Sequence, residues 1–105
     1  MGNQQVDLGR FAEPALLILI SLADGPKHGY AMMEDIRRTA NVKLGPGTLY
    51  GALARLEQRG FIEPVETDDR RRPYRLTMTG SAALREQLTA METLATAGLE
   101  RMRLA

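Results

Sequence analysis

Apolar and polar positions alternate along this chain with a period that changes from segment to segment, and those periods predict four helices and one hairpin. Residues 1 to 10 are polar and aperiodic, which predicts an arm outside the packed domain. From about 13 to 24 a helix is expected, because Pro14 suits a first helical turn and Gly25-Pro26 stops one. Its Leu16, Leu17, Ile18, Leu19, Ile20 and Leu22 surround the axis, so both sides must be covered, one of them against a second subunit. A second helix runs from Gly29 to Thr39, with Met32, Met33 and Ile36 inward and Glu34, Asp35, Arg37 and Arg38 outward. Asn41 to Gly45 makes the turn. The third helix starts near Pro46, repeats Leu49, Leu53 and Leu56 at helical spacing, and ends at Gly60.

Past Gly60 the period shortens to two. Phe61 to Thr67 and Pro73 to Met78 read as strands, the second with Tyr74, Leu76 and Met78 on a core face and Arg75 and Thr77 on a wet one. The turn between them, Asp68-Asp69-Arg70-Arg71-Arg72, carries three arginines at its tip. Thr77 caps the last helix, in which Leu84, Leu88, Met91, Ala95, Gly98 and Met102 recur at steps of four and three, broadened by Leu94 and Leu99. One small head cannot fully cover that stripe, although the helix can also fold back onto its own domain along the apolar first helix. A homodimer is therefore expected, with Leu16 and Leu19 joining Leu84, Leu88, Met91, Leu94, Ala95 and Met102 in its interface. The expected fold is mainly α with a small β-hairpin: a winged helix-turn-helix over 11–78 and a C-terminal dimerisation helix over 79–105.

Composition narrows the function. At 105 residues and 11.6 kDa the chain fits one domain, and its net charge of +1 means that any nucleic-acid footprint must come from local clustering. The absence of cysteine excludes disulfides and thiolate metal sites and agrees with a cytoplasmic setting. The apolar run Ala15 to Ala23 is too short to span a bilayer, which takes about 20 residues. Its flank, Asp7 and Glu13 against Arg10, lacks the positive charge of an export signal. Met1-Gly2 opens like a myristoylation signal, but Val6 stands where Ser or Thr is required.

Catalysis finds no chemistry to use. His28 is the sole histidine, so no metal cluster forms around it, and Gly45-Pro46-Gly47 lacks the lysine and spacing of a phosphate loop. The adjacent carboxylates Glu34-Asp35 and Asp68-Asp69 read as solvated. No enzyme activity, cofactor or metal is expected.

The third helix is the candidate recognition helix. Opposite its leucines lie Gly47, Gly51, Ala54 and Gln58, flanked by Tyr50 and Arg55. A helix seated in a major groove must let its backbone approach closely, and small residues permit that. The other reading is a plain solvated face, yet each glycine inside a helix costs about 1 kcal/mol relative to alanine. Thr48 either bonds a phosphate at the helix start or caps its own helix. The arginine tip either guards a sheet edge and aids solubility or acts as a wing reaching phosphates and a minor groove. On the DNA reading the contacts are Lys43, Thr48, Tyr50, Arg55, Gln58, Arg70, Arg71 and Arg72, of which Gln58, Arg55 and Thr48 have a path to base edges.

Lys27-His28-Gly29-Tyr30, Gly47-Thr48-Leu49-Tyr50, Ala52-Leu53, Arg55-Leu56-Glu57, Gly60-Phe61-Ile62 and Arg72-Pro73-Tyr74-Arg75-Leu76-Thr77, closed by Gly80, resemble the signature of PadR-like regulators, the phenolic acid decarboxylase repressor family. The resemblance covers about residues 14 to 85. It implies a dimeric transcription factor, usually a repressor, with a winged helix-turn-helix head and a dimerising tail, here of the compact kind with a single C-terminal helix. Members commonly carry proline after the Leu-Tyr pair, where this chain has Gly51. Two functions stand at this point: a regulator reading an inverted-repeat operator, or a winged-helix module that docks other proteins without an operator. A small apolar effector at the dimer interface is a further expectation, from the leucines and methionines that line it.

Overall fold

The computed structural model describes residues 13–68 and 70–104. The polar arm expected over residues 1–10 lies outside them. The elements follow in the order α1 (Pro14–Leu22), α2 (Gly29–Ala40), α3 (Pro46–Gln58), β1 (Ile62–Pro64), β2 (Tyr74–Leu76) and α4 (Met78–Leu104). The architecture is a winged helix-turn-helix with one long tail helix.

The helix with apolar residues all round sits in the middle. α1 packs against α2, α3, α4 and β2. Leu17, Ile18, Leu19 and Leu22 are buried, while Leu16 and Ile20 are half-buried. The cover expected in part from a second subunit is thus supplied mostly by the chain itself. Met32, Ile36, Leu49, Leu53, Leu56 and Ile62 complete the core around α1. Ser21, the one buried polar side chain among the described residues, donates to Asp35 Oδ2 at 2.7 Å and so ties α1 to α2 without an orphaned hydroxyl.

Each helix ends where its residues require it. His28 caps α2, its Nδ1 accepting from the Ala31 N–H at 3.4 Å, and Asn41 closes the helix in the left-handed region at φ 57°. α3 opens on Gly45 and Pro46 and closes on a Schellman arrangement: Gly60, at φ 76°, donates to Glu57 O at 2.9 Å and Phe61 donates to Leu56 O at 3.0 Å. The N-cap being Gly45, the capping role weighed for Thr48 falls away; Thr48 is the third helical residue, and it is exposed.

The hairpin is shorter than the alternation predicts. β1 and β2 are antiparallel, with Ile62 opposite Leu76, Glu63 opposite Arg75 and Pro64 opposite Tyr74. Pro64 has no N–H to offer, so β1 can only be an edge strand, and one further bond from Val65 N to Pro73 O ends the ladder. On the other side of β2 the Lys27 backbone exchanges two hydrogen bonds with Tyr74, at 3.1 and 3.0 Å, which anchors the α1–α2 turn to the sheet. Met78 does not continue the core face of the second strand. It opens α4 and is 90% exposed, because the Thr77 hydroxyl leaves the ladder to cap that helix through the Gly80 N–H at 3.0 Å.

A tight junction holds head and tail together. Thr77 donates its N–H to Phe61 O at 3.1 Å and its hydroxyl to Gly60 O at 2.6 Å. A Cβ placed on Gly80 would lie 1.9 Å from Phe61 O, so only glycine allows this approach. Beyond the junction, α4 contributes Leu84 to the head and then runs free. Its 27 residues extend about 40 Å.

Candidate nucleic-acid interface

α3 presents two unlike sides. Leu49, Ala52, Leu53 and Leu56 face the core, and Gly47, Thr48, Tyr50, Ala54, Arg55 and Gln58 face outward. The small-residue face is therefore open to solvent at Gly47 and Ala54 and half-buried at Gly51. Arg55 folds back over Gly51, its Nη1 3.8 Å from where a Cβ of that glycine would stand. Arg55 thus stands at a border: with Arg59 it also edges a groove between α1, α3 and α4 that holds Leu16, Leu19 and Met91. Gln58 lies near the far end of the face, and Lys43 is exposed in the turn before α3.

Tyr50 takes the other flank. A Cβ on Gly29 would lie 2.4 Å from the Tyr50 hydroxyl oxygen and 2.9 Å from Cζ, so the ring rests across the bare backbone at the start of α2. Next to it stands the wing. Arg70, Arg71 and Arg72 are exposed, and together with His28, Tyr30, Tyr50 and Tyr74 they line a cleft of about 310 Å³. Arg72 holds φ 52°, a conformation uncommon for a residue with a side chain. Glu63 pairs with Arg75 across the strands at 2.8 Å, which occupies Arg75 on the wet face of the hairpin.

The cleft floor is fixed from behind. Lys27 donates to Asp24 Oδ1 at 2.5 Å and to the Ser21 carbonyl, and its ammonium holds the exposed Asp24 carboxyl below the usual carboxylate range. That turn carries His28, Gly29 and Tyr30 into place beside the wing. No DNA contact is expected of these three from the sequence, although they stand in the Lys27-His28-Gly29-Tyr30 motif; only the fold brings that motif to Tyr50.

The residues put forward for a dimer interface divide into two groups. Leu19 and Leu84 are buried within the head itself, at 7% and 5% exposure, and form floor rather than free surface. Leu88, Met91, Leu94, Ala95 and Met102 are exposed on α4, and Leu16 is half-buried at the groove.

A helix pair, a third helix with an open face and a hairpin beside it define a winged-helix regulator. The Transcriptional regulator PadR-like family model matches residues 18–86. The chain is 42% identical over 83 residues to the transcriptional regulator Rv3488 of Mycobacterium tuberculosis, covering 76% of this chain and 77% of that protein. It is 44% identical over 85 residues to an uncharacterized 37.1 kDa protein in transposon TN4556 of Streptomyces fradiae, covering 81% of this chain but only 25% of that longer protein. Its fold is similar to the crystal structure of a PadR family transcription regulator from Clostridium difficile, with a TM-score of 0.76 at 22% identity, covering 87% of this chain and 99% of that one. The chain belongs to the PadR-like family of transcriptional regulators. That family is one of transcriptional regulators. Among the described residues, no helix is long and apolar enough to cross a membrane.

Proposed function

We propose that the chain represses transcription as a homodimer bound to an inverted-repeat operator in double-stranded DNA. The observation that carries this reading is that the small-residue face of α3 and the wing arginines are both open to solvent, with neither occluded by the domain. Gly47, Gly51 and Ala54 let the helix backbone approach a major groove, Thr48, Arg55 and Gln58 reach toward base edges, and Lys43, Tyr50 and Arg70 to Arg72 hold the sugar-phosphate backbone. Two such heads read half-sites about 34 Å apart, one turn of the duplex.

The tail supports the dimer. Over its distal half α4 leaves Leu94, Leu99 and Met102 at 65–75% exposure, a stripe with no cover from its own head. A second copy of α4 covers it, together with the groove of about 670 Å³ between α1, α3 and α4. The same groove offers an apolar effector a place against the back of the recognition helix.

The test is a gel shift with the DNA immediately upstream of the chain's own reading frame, across a salt series. Neutralising about 6 to 10 phosphates per dimer should lower affinity by roughly 10³ to 10⁵ between 50 and 200 mM salt. An affinity flat across that range would overturn the reading in favour of a protein-docking module. Replacing Arg70, Arg71 and Arg72 by alanine should abolish the shift while leaving the dimer intact.

A further inference from the structure

The chain has three tyrosines and one histidine, and all four line the cleft that the wing arginines close. The rest of the chain offers ample surface for side chains of these types, so their gathering at one place calls for a use. Tyr30 is 65% exposed and Tyr50 52%. Among the described residues neither of their hydroxyls is engaged in a hydrogen bond. A tyrosine hydroxyl on the surface can simply face water; two tyrosines that share the lining of one cleft of about 310 Å³ with three arginines make a set of donors.

The chemistry of that set is narrow. Phenol hydroxyls and guanidinium groups donate, so the complement is an anion rich in acceptors. No described carboxylate lines the cleft to compete for it. The volume admits a phosphate group with its sugar, and the lining includes Tyr50 of α3, the recognition helix.

Resting on the operator-binding reading above, we infer that this cleft grips a single backbone phosphate of the operator in each half-site. Tyr30 and Tyr50 donate their hydroxyls to it, and Arg70 and Arg72 close over it from the wing. Tyr30 is thus a DNA-contacting residue, outside the recognition helix and outside the wing. Gly29 is a positioning residue. Its missing side chain lets the Tyr50 ring lie flat across α2, with Oη where a Cβ would otherwise come within 2.4 Å. Because the hard clash falls on the movable end of Tyr50, and the Leu49 methyl at 3.2 Å has only a few tenths of an ångström to give, alanine at position 29 would swing the ring out of the cleft and leave the fold standing.

The experiment uses the full chain, a duplex carrying the upstream operator and a random-sequence duplex of equal length. Tyr30→Phe and Tyr50→Phe should each weaken binding about tenfold, equally on both duplexes, since a phosphate contact carries no sequence information. Their salt dependence should match the wild type, because no charge is removed, whereas Arg70→Ala and Arg72→Ala should each flatten the log–log slope by about 0.9. Ethylation interference should lose the same one phosphate per half-site in both tyrosine variants. Gly29→Ala should reproduce the loss seen in Tyr50→Phe, and Gly29→Ala combined with Tyr50→Phe should lose little more than either alone. Wild-type affinity in both tyrosine variants would overturn the inference while operator binding stands, as would a loss confined to the operator sequence. A wild-type chain that binds neither duplex would remove operator binding, and this inference with it.

Discussion

Gly80→Ala tests the head-to-tail junction most directly. The added Cβ would sit 1.9 Å from the Phe61 carbonyl oxygen, where a carbon and an oxygen need about 3.2 Å, and the neighbour is backbone, so no rotamer change relieves it. The start of α4 must therefore shift by about 1.3 Å or Phe61 must turn. Either movement disturbs Thr77, whose hydroxyl donates to Gly60 O at 2.6 Å and accepts from Gly80 N–H at 3.0 Å. Overpacking of this kind costs about 1–3 kcal/mol and a lost cap about 1 kcal/mol. Alanine's better helix propensity returns at most about 1 kcal/mol. The net loss is about 1–3 kcal/mol, or a fall in Tm of roughly 5–20 °C for a domain of this size. Helical circular dichroism melts at one fixed protein concentration measure it, since the stability of the proposed dimer would depend on concentration. A Gly80→Ala chain melting within about 2 °C of wild type would refute the reasoning.

Thr77→Ala removes the cap without adding a clash, and should cost about 1–2 kcal/mol in urea unfolding with an unchanged m-value. Leu94→Glu with Leu99→Glu should shift the chain toward monomer in sedimentation velocity while leaving the head folded, because both side chains stand free of it, at 75% and 65% exposure. Asn41→Ala, which puts a residue without asparagine's locally hydrogen-bonding side chain at φ 57°, should destabilise by about 1 kcal/mol in the same unfolding assay, and Asn41→Gly should not. Asp24 is depressed in the folded state by Lys27, so its stabilising effect is fully present above the ordinary carboxylate pKa and is lost as pH falls through the lowered value. Asp24→Asn should therefore be less stable than wild type at neutral pH, with the gap closing below about pH 4 in pH-dependent melts.

Much of this molecule is local and was legible in the order of residues. Pro14, Gly25-Pro26, Pro46 and Gly60 act on the backbone beside them, so α1 and α3 begin and end close to where those residues stand. The Leu49, Leu53 and Leu56 spacing is a property of one helix, and it identified both the buried side of α3 and the open one. The Thr77 cap was likewise readable, a hydroxyl three residues before the N–H it accepts from.

What the tertiary structure decided depends on atoms far apart in the chain. Alternation overstates the strand because it cannot tell a residue paired in a ladder from Met78, which opens a helix once Thr77 bonds Gly60 and Phe61. Leu19 and Leu84 look free on their separate helices and become floor once α1 and α4 meet. Gly29 and Gly80 are plain glycines in sequence; Tyr50 and Phe61 O give each its reason. Periodicity reports which side of an element avoids water, since that preference belongs to each residue, whereas the cleft of tyrosines and arginines exists only where three separate segments are folded against one another.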